Sequence, residues 1–128
     1  MMKNLILILP IVFLSFLNLK VQKDGLVGKW NCFHKEFQDG TSKSTDLFSG
    51  EEFELNCTGL VIELKSDGTG WESLGEQNFR YKIRDSILTL GNRSFIVELV
   101  NENQLVLRDY SPNGLLTSDF RQKFKRIE

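Results

Sequence analysis

Phe79-Arg80-Tyr81-Lys82-Ile83-Arg84-Asp85-Ser86-Ile87-Leu88-Thr89-Leu90 is the stretch that decides the fold. Phe79, Tyr81 and Ile83 alternate with three cations, the period of a strand with one face buried and one wet. Asp85-Ser86 breaks the run, and residues 87–90 resume it. Strands joined by so short a link run antiparallel. The same grammar extends outward in both directions. Downstream, Gly91-Asn92 leads to residues 95–100, Asn101-Glu102-Asn103 to residues 105–110, and Ser111-Pro112-Asn113-Gly114 to residues 115–127. Upstream, Leu60, Ile62 and Leu64 alternate with Val61, Glu63 and Lys65 before the Ser66-Asp67-Gly68-Thr69 turn. Trp71 and Leu74 mark a short third strand. Residues 25–37 form the first, with Trp30, Cys32 and His34 expected on one face and Asn31, Phe33 and Lys35 on the other. Eight strands result, and no helix among them is long enough for a parallel crossover. The expected fold is all-β: an eight-stranded antiparallel up-and-down barrel, whose closure removes exposed sheet edges. An open sandwich with the same strand order is the alternative.

A short leader segment precedes the one domain that forms this barrel. Lys3 and the apolar run Leu5 to Leu17 read as a signal peptide over residues 1–22, with cleavage between Leu17 and Lys23. The run is about 13 residues, short of the roughly 20 that span a bilayer. An uncleaved N-terminal anchor is the rival reading. No cysteine stands at the end of the run, between Leu17 and Lys23, so a lipid anchor is not expected, and the chain is expected to be periplasmic or secreted. Residues 23–128 form the one folded domain. From residue 21 onward 14 Lys/Arg face 17 Asp/Glu, a net charge near −3. That balance gives no reason to expect nucleic acid or a membrane surface beyond the signal segment as partner. The basic tail Arg121-Gln122-Lys123-Phe124-Lys125-Arg126 alternates with apolar residues as a solvated strand face does.

Cys32 and Cys57 are the only cysteines, and export places them where disulfides persist. A bridge would add roughly 3–4 kcal/mol in the chain-entropy model. Direct pairing of neighbouring strands puts Cys57 nearer Glu36 or Phe37, so the two either bridge or serve as small buried thiols. Residues 38–56 are polar and lack a clean period. Thr45-Asp46-Leu47-Phe48 reads as the start of a short helix, and Leu47, Phe48, Phe53 and Leu55 as the anchors of an ordered lid.

Leu26-Val27-Gly28-Lys29-Trp30, Leu64-Lys65-Ser66-Asp67-Gly68-Thr69-Gly70, Tyr81-Lys82-Ile83, Ser86-Ile87-Leu88-Thr89-Leu90 and Leu105-Val106-Leu107 together carry a family resemblance. With them the chain resembles the lipocalin-like domain family of exported Bacteroidetes-type bacterial proteins, within the lipocalin superfamily. The resemblance spans roughly residues 26–126 and rests on spaced apolar residues around one Asp-Gly turn. It implies that Gly28 and Trp30 close the barrel floor, with a basic residue of the last strand lying across the indole. Parity selects Arg126, which shares a face with Phe120 and Phe124 while Arg121 does not. Two departures stand out: the chain is shorter than ligand-carrying lipocalins, and it lacks the lipoprotein cysteine of many relatives.

Catalysis is not expected. His34 is the only histidine, and Cys32-x-His34 offers two ligands where structural metal sites want four. Glu51, Glu52 and Glu54 lie in a polar setting, and neither a phosphate-cradling loop nor a nucleophile elbow is present. No cofactor and no metal are expected. The leading expectation is a non-catalytic binding module for an apolar or amphipathic small molecule. Its pocket would be walled by Trp71, Phe79, Tyr81, Phe95 and Leu107, with His34 as a polar handle. The alternative is a solid-core protein-interaction module, its partner surface formed by Phe33, Phe37, Phe48 and Phe53.

Overall fold

Eight strands close on themselves around an indole. A computed structural model describes residues 21–110 and 120–128. One helical turn, α1 (Lys23–Leu26), precedes the first strand, β1 (Gly28–Phe37). Two three-residue strands follow, β2 (Lys43–Thr45) and β3 (Glu52–Glu54). Then come β4 (Val61–Leu64), β5 (Thr69–Glu72), β6 (Gln77–Arg84) and β7 (Ile87–Leu90). The chain continues through β8 (Arg93–Val100), β9 (Gln104–Asp109) and β10 (Phe120–Arg126). Strands β4 to β10 pair with their sequence neighbours, and β1 pairs with both β4 and β10, giving a closed antiparallel up-and-down barrel. The expected signal segment, residues 1–22, falls on residues 1–20 except for Val21 and Gln22, and the expected turn at Ser111 with the start of its strand falls on residues 111–119. Residues 1–20 and 111–119 lie outside the described residues. No helix among the described residues is long and apolar enough to cross a membrane.

Gly28, Trp30 and Arg126 explain one another at the barrel floor. Trp30 stands directly opposite Arg126 in the β1–β10 ladder, with the guanidinium carbon 4.1 Å from the ring centroid. The indole is fully buried, and its Nε1 donates to the Leu26 carbonyl at 2.9 Å, so α1 is folded under it. Arg126 donates to three carbonyls, those of Val27 (2.6 Å), Gly25 (2.9 Å) and Glu102 (2.6 Å). It thereby ties the last strand to the entering chain and to the β8–β9 turn. Gly28 has φ +146°, and a β-carbon there would run into the Arg126 guanidinium and sit 2.7 Å from the Glu128 carbonyl. Only glycine fits that conformation and that space.

Two β-bulges correct the expected faces. In β1 the register slips between Cys32 and His34, leaving Phe33 as the extra residue. An inserted residue reverses the inside/outside parity of everything beyond it. His34, expected inward with Trp30, therefore pairs with Lys123 on the outer wall, while Phe37 moves to the inner side and packs on Phe120, ring centroids 5.3 Å apart. Phe33 is 44% exposed. A second bulge, between Val97 and Leu99, has Glu98 as its extra residue, and Glu98 meets Arg108 and Arg121 on the same outer wall.

Trp71 also differs from expectation. It pairs with Glu63, which alternates with the buried Ile62 and Leu64, so its indole belongs to the outer face and walls no interior pocket. The inward place is taken by Gly70, over which the Phe79 ring lies so closely that a β-carbon would collide with it.

The 38–56 connection holds a hairpin, not a helix. Asp46 Oδ1 accepts from the amides of Phe48 (2.7 Å) and Ser49 (3.1 Å), which is how a helix starts. Gly50 then adopts φ +71° and turns the chain back into β3 after a single turn. Neither expected anchor at the tip finds a surface: Leu47 is 96% and Phe48 102% exposed.

Replacing Arg126 with Met should cost about 2–4 kcal/mol, from the stacked cation and its charged hydrogen bonds. Gly28→Ala should destabilise the barrel as well. Urea unfolding followed by tryptophan fluorescence measures both, and an unchanged midpoint in Arg126→Met would contradict the closure described.

Candidate interaction surface and barrel mouth

The floor is sealed, so any route into the barrel lies at the other end, where β1 and β9 finish and β8 and β10 begin. A cavity of about 40 Å³ lies beneath this mouth, with Phe95, Leu107, Leu60, Ile62 and Phe124 among its walls. Glu72 and Arg93 form an ion pair at its rim, Nη2 to Oε2 at 2.6 Å, and Gln122 adds an amide. At roughly 10–15 Å³ per water the cavity holds about three waters. Small-molecule sites usually run to about 300–1,000 Å³. Larger hollows of about 410 Å³ between α1 and β8, and about 420 Å³ beside Gly70, are open depressions of the surface.

The six residues expected to form a ligand pocket are therefore dispersed. Phe95 and Leu107 do line the interior cavity. Phe79 packs over Gly70. Tyr81 is buried at the floor end and spends its hydroxyl on the Lys65 carbonyl at 2.6 Å. Burial, with the charges of Asp67 and Asp24 nearby, raises the pKa of that phenol above its ordinary value. Trp71 and His34 face outward.

Cys32 and Cys57 are joined by a disulfide, Cα atoms 5.8 Å apart. Strand pairing alone does not bring them together. Cys57 lies in the chain leading into β4, and the Cys32 amide donates to the Leu60 carbonyl, so the approach to β4 bends over β1. The bond removes the Cys32-x-His34 pair as metal ligands or as a nucleophile with its base. Among the described residues no group of three or more His, Cys, Asp or Glu is placed to hold a metal ion.

Outside the barrel, the bulged part of β1 gathers a charged wall that sequence reading missed. Glu36, only 6% exposed, receives Arg121 Nη1 at 2.9 Å, His34 Nε2 at 2.9 Å and Lys123 Nζ at 3.4 Å. Arg121 also reaches the Gln38 carbonyl and Glu98, and Arg108 meets Glu98 at 3.2 Å. Burial pushes the Glu36 carboxyl up, but the hydrogen bonds from Arg121 and Lys123 outweigh it and hold the group below its ordinary value. The Arg121 hydrogen bond lowers Glu98 likewise. Phe33 lies bare on this wall, with the Lys125 ammonium 4.8 Å from its ring centroid. Glu36 and Arg121 are 85 residues apart. No local signal announces their meeting, because it depends on the bulge.

Beyond the wall projects the β2–β3 hairpin, hereafter the arm, carrying Leu47 and Phe48 at its tip and the 49% exposed Phe53 on its strand. It is held at its root by the Phe37–Thr41 backbone hydrogen bond and by the disulfide. Comparison with family models, curated proteins and solved structures found no match to this chain.

Two outcomes follow. Replacing both cysteines with Ala should cost about 3–4 kcal/mol, given a separation of 25 residues. Amide exchange should quicken first at residues 38–59, ahead of β6 to β9. Acid titration tests the wall. Glu36 and Glu98 bind protons more weakly in the folded chain, so their contribution is complete above the ordinary carboxylate value, about 4.3. It is lost as pH falls through the lowered folded values. Glu36→Gln should melt lower than wild type at pH 7 and lose less on going to pH 3. Parallel melting curves would contradict this.

Proposed function

We propose that this chain is an exported, non-catalytic protein-interaction module with a solid core, which engages its partner through the arm and the Phe33 wall. The observation that carries the reading is the placement of its large apolar side chains. Among the described residues the barrel interior leaves a cavity of about 40 Å³, while Leu47 and Phe48 stand fully in water and Phe53 and Phe33 are about half exposed. Bare aromatic side chains grouped on one projecting element mark partner surfaces more often than they mark accidents of folding. The disulfide and the barrel without a membrane-crossing helix among the described residues are compatible with export to the periplasm or medium.

The lipocalin-like resemblance supports the barrel reading through Gly28, Trp30 and Arg126 and is compatible with either role. A carrier role would require the Glu72–Arg93 rim to part and the cavity to grow several-fold before a small apolar molecule could enter. Phe95 and Leu107 would be its first contacts.

A photo-crosslinking residue at position 48, introduced in the native host, tests the reading. The expected result is a discrete crosslinked protein species that is lost when the group is moved to Lys82, an exposed position on β6. Identical weak labelling from both positions would overturn it.

A further inference from the structure

The arm and the wall are complementary to each other. Residues 39–56 contain five carboxylates, Asp39, Asp46, Glu51, Glu52 and Glu54, against the single cation Lys43. The wall around Phe33 carries the opposite surplus. Arg108, Arg121, Lys123 and Lys125 outnumber Glu36 and Glu98, and both of those carboxylates are already engaged by arginines. At the centre of each lies bare aromatic surface: Phe48 flanked by Asp46 and Glu51, and Phe33 bordered by the Lys125 ammonium. Within one copy the two do not meet, because Leu47 and Phe48 keep essentially their whole surface in water.

We propose that the partner of the arm is a second copy of this chain, the Leu47-Phe48 tip of each copy seating on the Phe33 wall of the other. The inference rests on the interaction reading above and names its partner. Pairing of arm with arm is disfavoured, since Glu52 and Glu54 flank Phe53 on β3 and would face their like across a shared edge. Arm on wall sets carboxylates against lysine and arginine and ring against ring. Reciprocal exchange about a two-fold axis makes the contact twice, and such closed isologous pairs are the commonest form of soluble oligomer. Charged rims around an apolar centre set register and association rate, while the aromatic anchors supply most of the affinity.

Sedimentation equilibrium of the purified disulfide-bonded chain, from about 1 to 200 µM, tests this. The expected result is a monomer–dimer equilibrium that weakens at high salt. Phe48→Ser and Lys125→Glu change exposed side chains, and their far-UV spectra and melting curves report whether the barrel is intact. Each is present at both contacts of the two-fold dimer and should weaken it roughly 100-fold or more, given about tenfold for each anchor lost. A chain that stays monomeric throughout, or a dimer indifferent to both substitutions, overturns the inference. If such a monomer still crosslinks to another protein through position 48, only the identity of the partner is wrong. If that crosslink is missing too, the interaction reading falls with it.

Discussion

The stacking of Arg126 on Trp30 is the constraint on which the remaining structure depends. A meander of short strands has two edges, and it becomes a barrel only if its first and last strands find each other. Here they meet across residues 30–37 and 120–126, and the registration at their ends is set by one cation over one indole. The same guanidinium collects carbonyls from the chain on either side, which otherwise would face the closed end unpaired. A glycine is required two residues before the tryptophan because the guanidinium takes the space a side chain would need. The tripeptide is thus a mechanical statement, and its partner is written about a hundred residues later.

Closure at that end fixes what can happen at the other. Strands of four residues, as in β4, β5 and β7, make a shallow ring whose interior Trp30, Phe124, Leu64, Leu88 and Leu105 fill almost to the rim. Among the described residues, what is left under the Glu72–Arg93 ion pair is a space for a few waters. The chain then places its surplus aromatic surface outside, on a bulged strand and on an arm that the disulfide holds to it. In the proposed role that division of labour is the point: the barrel is a rigid mount, and the recognition surface is built from what β1 does after residue 32.

Much of this architecture was legible in the residues. Alternation over 79–83, with tight turns at Asp85-Ser86 and Gly91-Asn92, marks β6, β7 and β8 because a half-buried strand cannot hide its period. The family resemblance implied a basic residue of the last strand across Trp30, and parity then selected Arg126. The misread faces of β1 share one cause. Parity is reliable only while the ladder is regular, and a one-residue bulge at Phe33 carries no sequence signature here. It moved His34 outward and Phe37 inward, and it assembled Glu36 with Arg121 and Lys123 unseen. Trp71 misled differently: a large aromatic invites an inward assignment, yet its neighbour Gly70 holds the inward position under Phe79. In residues 45–50 the helix-starting hydrogen bonds of Asp46 were real, and Gly50 cut them off after a turn.

The central claim is that the interior holds no cargo and that binding, where it occurs, is done by the outer surface. Native mass spectrometry of the protein isolated from its own host tests this most directly. The account predicts polypeptide alone, two hydrogens lighter than the reduced chain, as monomer or dimer. A stoichiometric small-molecule adduct that leaves on denaturation would contradict it.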